Sequence, residues 1–169
     1  MFTQIIKFIR VLGSEASPFQ ISFAIGLAMI AGFTPLLSLH NVLVFFILLS
    51  FRVNLAAFML TLGLFSGVAY LLDPMFHNIG LSLLQNPDLQ ANWTSMYNSL
   101  FWRIAHFNNT IVLGSLVVSL AAFIPVVLLG NVLIKQYRDK VMVYLQDSKI
   151  ARFLQTSKIF TRVTSMMES

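Results

Sequence analysis

A long run without a single charged side chain, residues 16–51, constrains this chain more than any other feature. A membrane-spanning helix needs about 20 apolar residues, so the run is too long for one span and too short for two full spans with a turn. Pro35 divides it into two halves of about 16 residues, each roughly 24 Å long as a helix. We therefore expect a hairpin of two short helices over residues 18–51, with its break at residues 34–38. A single tilted helix kinked at Pro35 is the alternative.

The composition predicts an all-α integral membrane protein. Hydrophobic residues make up 57% of the chain and charged residues only 10%, whereas about a quarter of the residues in a soluble domain are charged. Residues 53–72 and 111–134 each approximate one full transmembrane helix. The pair Asp73-Pro74 is expected to end the first of them, because proline disfavours helical geometry in the residue before it. Residues 73–109 then form an external connection within a membrane domain of residues 14–134.

The basic residues predict how the chain lies in the membrane. Residues 1–13 read as an amphipathic interfacial helix with Lys7 and Arg10 directed towards lipid headgroups, and residues 135–169 as a basic, helical cytoplasmic tail. Positive charge at both ends places both termini in the cytoplasm. This requires an even number of crossings, which favours a hairpin at residues 18–51, re-entrant or spanning a thinned bilayer, over one kinked helix. The residues expected at the lipid headgroups or the interface are Lys7, Arg10, Trp93, Trp102, Lys135 and Arg138.

Small residues recur at helical spacing in three places. In lipid, close backbone approach and dispersion hold helices together, because no hydrophobic force drives their association. We expect these stripes to pack against neighbouring helices of the same chain, and we keep self-association as the alternative. The stripes consist of Ala24, Ala28 and Gly32; Gly63 and Gly67; and Ser115 and Ser119.

Uncharged polar residues cluster around Pro35. Backbone that leaves helical geometry at membrane depth must have its polar groups satisfied by protein or water, so we interpret the cluster first as turn chemistry. The second interpretation is that the hairpin tip lines a path, as broken helices do in transporters. The residues concerned are Thr34, Pro35, Ser38, His40 and Asn41.

The sequence offers nothing that predicts an enzyme. It contains no cysteine, no recognisable metal, nucleotide or nucleophile motif, and only scattered acidic residues. We therefore expect no catalytic residues, no cofactor and no metal site. The basic tail lacks the aromatic and basic interleaving of nucleic-acid-binding modules, so membrane lipids are its expected partners.

Several short motifs give the chain a family resemblance. They are a Ser-Pro start at residues 17–18, a glycine-rich first helix, a Gly-Phe-x-Pro break at residues 32–35 and an Arg-x-Asn turn at residues 52–54. The chain resembles a bacterial family of small, uncharacterised polytopic membrane proteins, and AYLLDPMFHNIG, FNNTIVLGS and QYRDKV resemble a conserved-hypothetical branch of it. Ser38 and His40 stand where broader members tend to have glycine and glutamine. The resemblance implies a Gram-negative inner membrane and an envelope partner, and no activity or site residues.

Two functions remain open at this point. The first is a small inner-membrane subunit that anchors or docks a larger envelope protein through its short helices and external loop. A homo-oligomer is the alternative assembly. The alternative is a translocator of lipid or small solute, with the Pro35 hairpin lining the path. A polar groove that reaches residues 34–41 would favour transport, and a sealed tip would favour the docking subunit.

Overall fold

The structure is a computed structural model that describes residues 16–142. Over this range it is helical and contains no β-strand, which confirms the all-α prediction. The predicted helix at residues 1–13, with Lys7 and Arg10, and the tail beyond residue 142 lie outside the described residues. The helices are α1 (Pro18–Phe33), α2 (Leu39–Ser50), α3 (Leu55–Leu84), α4 (Gln90–Tyr97), α5 (Leu100–Ile104) and α6 (Thr110–Gln136), with a 3₁₀ turn at Pro87–Leu89 and a π-helical end at Tyr137–Met142.

Helix α1 is the centre of the bundle. It packs against both α3 and α6, which also pack against each other. A helix that is apolar all round must be enclosed by other apolar groups, and α1 meets this requirement within the chain itself. Its buried side chains and glycines are Ile21, Ser22, Ala24, Gly26, Leu27, Ala28, Met29, Ile30, Ala31, Gly32 and Phe33.

Two helical segments are long and apolar enough to cross a membrane, Leu55–Leu84 and Thr110–Lys140. The first has 17% of its most apolar window buried inside the chain and the second 33%. The core helix of a soluble protein would bury most of such a window, whereas these helices leave most of theirs facing outward. This pattern indicates a membrane protein, in which lipid covers the outward apolar faces.

The charge-free run forms two helices, with the break between α1 and α2 at residues 34–38. The ring of Phe51, just after α2, lies 6.4 Å from the ring of Phe23 in α1. Phe23 lies in the N-terminal half of α1, far along the helix from the break. The end of α2 therefore lies back beside α1, which a single helix kinked at Pro35 would not allow.

Helix α3 does not end at Asp73, so this prediction is wrong. The helix continues through Pro74 to Leu84, and the connection that follows is itself largely helical. Proline removes one backbone donor and biases the residue before it, but packing on the far side outweighs that cost. Phe76 is fully buried, and Gly80 lies in close contact with the start of α6.

Three short polar motifs are helix N-caps. The Ser17 hydroxyl accepts from the Gln20 backbone N–H at 3.2 Å, and the Gln20 side chain accepts from the Ser17 N–H at 3.0 Å, which makes a capping box. Asn54 accepts from the Ala57 N–H at 2.8 Å to start α3. Asn109 caps α6 in the same way. The Ser-Pro start, the Arg-x-Asn turn and the FNNT segment therefore satisfy free N–H groups at helix starts.

Candidate functional site

The break between α1 and α2 is closed by two of its own side chains. The Thr34 hydroxyl donates to the Ile30 carbonyl at 2.8 Å and lies 3.3 Å from the Asn41 side-chain oxygen. The Asn41 amide donates to the Pro35 carbonyl at 3.0 Å and to the Leu36 carbonyl at 3.3 Å. Thr34 and Asn41 are both buried. They add hydrogen bonds to the carbonyls of Ile30, Pro35 and Leu36, at the end of α1 and within the break.

Ser38 and His40 behave differently from these two residues. Ser38 is buried and stands at the N-cap of α2, yet its side chain makes no capping hydrogen bond. His40 is partly buried, and its Nε2 atom is enclosed without a hydrogen-bond partner. Among the polar residues around Pro35, then, two close the break and two do not.

A groove of about 420 Å³ opens beside the break, and we call it the break groove. One wall is formed by the end of α1 and the break itself, and the opposite wall comes from α3, with Ile111 of α6 between them in the lining. Apolar and polar side chains both contribute, and Asp73 is the charged residue among them. The groove reaches Thr34 and Pro35, but neither His40 nor Asn41 lines it. The lining residues are Gly32, Phe33, Thr34, Pro35, Leu36, Ser66, Ala69, Tyr70, Asp73 and Ile111.

A second cavity, of about 260 Å³, lies where α2 meets α5 and the start of α6. It is almost entirely apolar, and His40 is its one strongly polar side chain. Trp102, expected at the membrane interface, lines this cavity and is 42% exposed. His40 and the break groove are therefore separate features. The lining residues are Leu39, His40, Leu43, Phe101, Trp102, Ala105, Phe107, Val112, Leu113 and Leu116.

Trp93 and Arg138, which were also expected at the interface, make hydrogen bonds within the chain. The Trp93 indole N–H donates to the Leu83 carbonyl at 2.9 Å and its ring stacks on Phe107, so it holds the connection together. Arg138 donates to the Ala16 carbonyl at 2.7 Å, which ties the end of α6 to the start of α1. Lys135 is exposed.

Two of the small-residue stripes pack inside the chain. Ala24 and Ala28 are fully buried, and a Cβ on Gly32 would come within 2.7 Å of the Phe65 Cβ. Ser115 and Ser119 are also fully buried. Their hydroxyls donate to carbonyls one turn earlier in their own helix. These residues let α1, α3 and α6 approach closely.

The third stripe does not pack inside the chain. A Cβ on Gly63 or on Gly67 would meet nothing within 4 Å, so the expectation of internal packing is wrong for these two glycines. The spacing identifies a narrow face of a helix but not the partner that fills it. This face of α3 points outward.

Sequence reasoning missed a close backbone contact between α3 and α6. A Cβ on Gly80 would collide with the Thr110 carbonyl, and one on Gly114 with the Phe76 carbonyl. These glycines let the backbones of α3 and α6 touch. A lone glycine inside an apolar helix was the available signal. For Asp73, the signal was an acidic residue within an apolar helix.

Within residues 16–142, no group of three or more histidine, aspartate or glutamate side chains lies close enough to hold a metal ion. The described fold and its grooves thus define a class: a helical bundle with two helices long and apolar enough to cross a membrane, and a groove at a helix break.

Comparison with known proteins identifies the family of the chain. Residues 6–142 match the family described as "Uncharacterized protein conserved in bacteria (DUF2062)". The chain belongs to this family, which confirms the resemblance seen in its motifs. It is also 28% identical over 138 residues to an "Uncharacterized protein" of Treponema pallidum (strain Nichols), covering 82% of this chain and 85% of the relative. No solved structure matches the chain.

Proposed function

We propose that this chain is a small protein of the bacterial inner membrane that takes an amphipathic, lipid-class molecule into the break groove and moves it across the bilayer. One observation carries the proposal: the groove joins the break to Asp73 and has a lining that is partly apolar and partly polar. A lipid has the same two-part chemistry, because its chains are apolar and its headgroup is polar.

The position of Asp73 supports a functional groove. Ionisable side chains in membrane-spanning helices are costly, and those that persist mark ligand or ion pathways by default. Non-helical backbone at membrane depth is tolerated where it is buried in protein or lines a cavity. The break lines the groove directly through Thr34, Pro35 and Leu36.

The lengths of α1 and α2 favour a re-entrant hairpin. The 16 residues of α1 and the 12 of α2 correspond to about 24 Å and about 18 Å, whereas the hydrocarbon core is about 30 Å thick. Both helices therefore fall short of the far interface. With both termini in the cytoplasm, this arrangement leaves the break within the outer half of the membrane, where a lipid headgroup can reach the groove.

A lipid-flipping assay tests the proposal. Vesicles carrying the purified protein are loaded with a headgroup-labelled fluorescent lipid, and a membrane-impermeant quencher reports how fast the label crosses. We expect the wild type to accelerate crossing. Leu36→Trp, which fills the groove, should slow it several-fold. Leu37→Trp is the matched control, because Leu37 is fully exposed and does not line the groove. Folded wild type that leaves crossing at the rate of empty vesicles would refute the proposal.

The docking subunit remains the second candidate, supported by the surface of the connection. Residues on and around α5 expose large apolar side chains in a segment that we propose to lie outside the membrane core. A stable partner retained in mild detergent and released by Leu100→Glu would support this function over transport. The exposed residues are Tyr97, Leu100, Phe101, Trp102 and Ile104.

A further inference from the structure

We infer that the break groove recognises its ligand through a primary ammonium group held against Asp73. This inference rests on the proposed function, since it takes the groove to be a ligand site. It adds the chemical class of the headgroup.

The lining of the groove carries negative charge only. Asp73 contributes a carboxylate, and no lysine or arginine is among the described residues that line the groove. A carboxylate partly removed from water favours a cationic partner, because the pair offsets the cost of desolvation. An anionic headgroup without a compensating cation would meet repulsion in this groove.

Two polar groups of the groove, the Asp73 carboxylate and the Thr34 hydroxyl, accept hydrogen bonds, whereas the Ser66 and Tyr70 hydroxyls can both donate and accept. The Thr34 hydroxyl spends its one hydrogen on the Ile30 carbonyl, so it offers only lone pairs to a ligand. Asp73 and Thr34 therefore favour a ligand that donates. An ammonium group has three donors and no acceptor.

The size and the apolar wall argue against a bare metal ion. A volume of about 420 Å³ is far more than an ion needs, and Phe33, Leu36 and Ile111 offer no ligand atoms from their side chains. These residues suit the aliphatic part of an organic amine. The ring of Tyr70, which is 80% exposed, stands beside the groove and can attract a cation through its face.

A phosphatidylethanolamine headgroup and a soluble amine share this chemistry, and the test separates them. Binding to the purified full chain is measured by native mass spectrometry and by the shift in unfolding midpoint. The probes are phosphatidylethanolamine, phosphatidylcholine, phosphatidylglycerol and ethanolamine. Phosphatidylcholine keeps the positive charge but has no N–H, and phosphatidylglycerol has no cation. We expect phosphatidylethanolamine to bind at least about tenfold more tightly than either of the other lipids, as hydrogen bonds to charged groups imply.

Asp73→Asn should abolish this preference while keeping nearly the same side-chain shape. The matched control is Asp88→Asn, because Asp88 is exposed in the 3₁₀ turn and does not line the groove. The control should keep the wild-type preference. The unfolding midpoint without lipid shows whether each variant folds. If Asp73→Asn does not fold, the comparison of lipids on the wild type decides the matter alone.

Each outcome bears on the inference separately from the proposed function. Equal binding of phosphatidylethanolamine and phosphatidylglycerol by the wild type overturns the ammonium site, and so does an Asp73→Asn variant that keeps the preference. Displacement of the lipid by NaCl but not by KCl overturns it in favour of a metal cation. Ethanolamine that binds as tightly as the lipid supports the ammonium site and identifies a soluble amine as its source. Lipid crossing without headgroup preference refutes only the inference, whereas selective binding without any crossing refutes only transport.

Discussion

At the scale of single residues, the break depends on the pairing of Thr34 with Asn41. Each is buried, and each adds a side-chain hydrogen bond at the break: Thr34 to the Ile30 carbonyl, and Asn41 to the Pro35 and Leu36 carbonyls. In lipid a carbonyl without a hydrogen-bond donor cannot bond to water instead, so leaving it unpaired costs several kcal/mol. The two side chains, together with the backbone N–H groups of Thr34 and Ser38, thus satisfy carbonyls where the helix stops and restarts inside an apolar run.

Asn41→Ala should destabilise the protein, because it leaves the Pro35 and Leu36 carbonyls without their side-chain donor. The expected loss is about 1–3 kcal/mol in the free energy of unfolding, measured by chemical denaturation in detergent. Ser38→Ala is the control: Ser38 is also buried but makes no capping hydrogen bond, so its loss should be clearly smaller. Equal losses would show that the Asn41 hydrogen bonds do not hold the break.

The sequence identified this polar cluster but did not show which of its residues close the break. Residue type alone shows that Thr34, Ser38, His40 and Asn41 can all hydrogen-bond. Which of them turn towards free carbonyls depends on the direction of each side chain after the break. Asp73 stands out in the sequence as an acidic residue in an apolar helix, but its place beside the break requires knowing that α3 packs against the end of α1.

At the scale of helices, glycines separate a packed face from an open one. Gly80 and Gly114 lie where α3 and α6 touch, whereas Gly63 and Gly67 face outward on α3. A pair of glycines four residues apart is a well-known packing pattern, yet in this chain the isolated glycines do the packing.

Gly80→Ala and Gly114→Ala should each lower the free energy of unfolding by about 1–3 kcal/mol, because the added methyl group collides with backbone. Gly63→Ala and Gly67→Ala should leave it unchanged or raise it by up to about 1 kcal/mol, since alanine favours helix over glycine. Unfolding in detergent measures all four variants.

A large loss at Gly63 or Gly67 would contradict the open face described for this chain. If that loss came with a change from a larger to a smaller species on sizing chromatography, a second copy would be covering the face.

The fate of Pro74 shows what sequence rules can and cannot decide about helices. The rule that the residue before proline leaves helical geometry is a local bias. In this chain the bias is overcome, because Phe76 and Gly80 pack against α6 and keep the second half of α3 helical. The N-caps are the opposite case: Asn54 and Asn109 act through bonds within their own turn, so their sequence signals are reliable.

At the scale of the whole molecule, the proposed orientation can be tested directly, because the chain contains no cysteine. Single variants Asp88→Cys and Lys140→Cys place a thiol at each end of the bundle, and both positions are exposed. With both termini in the cytoplasm, a membrane-impermeant thiol reagent added to spheroplasts should label Asp88→Cys. It should label Lys140→Cys only after lysis, and the reverse pattern would invert the topology.

Composition predicted the helical class and the presence of span-length helices because both follow from bulk physics. A chain with so few charges cannot cover itself for water, and lipid requires every backbone group to be paired. Which helices pack together does not follow from composition. That arrangement depends on shape, and α1 became the centre because its small and apolar residues admit α3 on one side and α6 on another.

The hydrogen bond from Arg138 to the Ala16 carbonyl joins the end of α6 to the residues that precede α1. Because the first and last described helices meet at this point, the order in which the helices are synthesised is separable from the way they pack. A circularly permuted gene, with residues 16 and 142 bridged by a short linker and new ends opened at the Asn86–Pro87 turn, would keep every pairing among α1, α3 and α6. We expect the permuted chain to form the same helix bundle, with an unfolding midpoint in detergent close to that of the wild type.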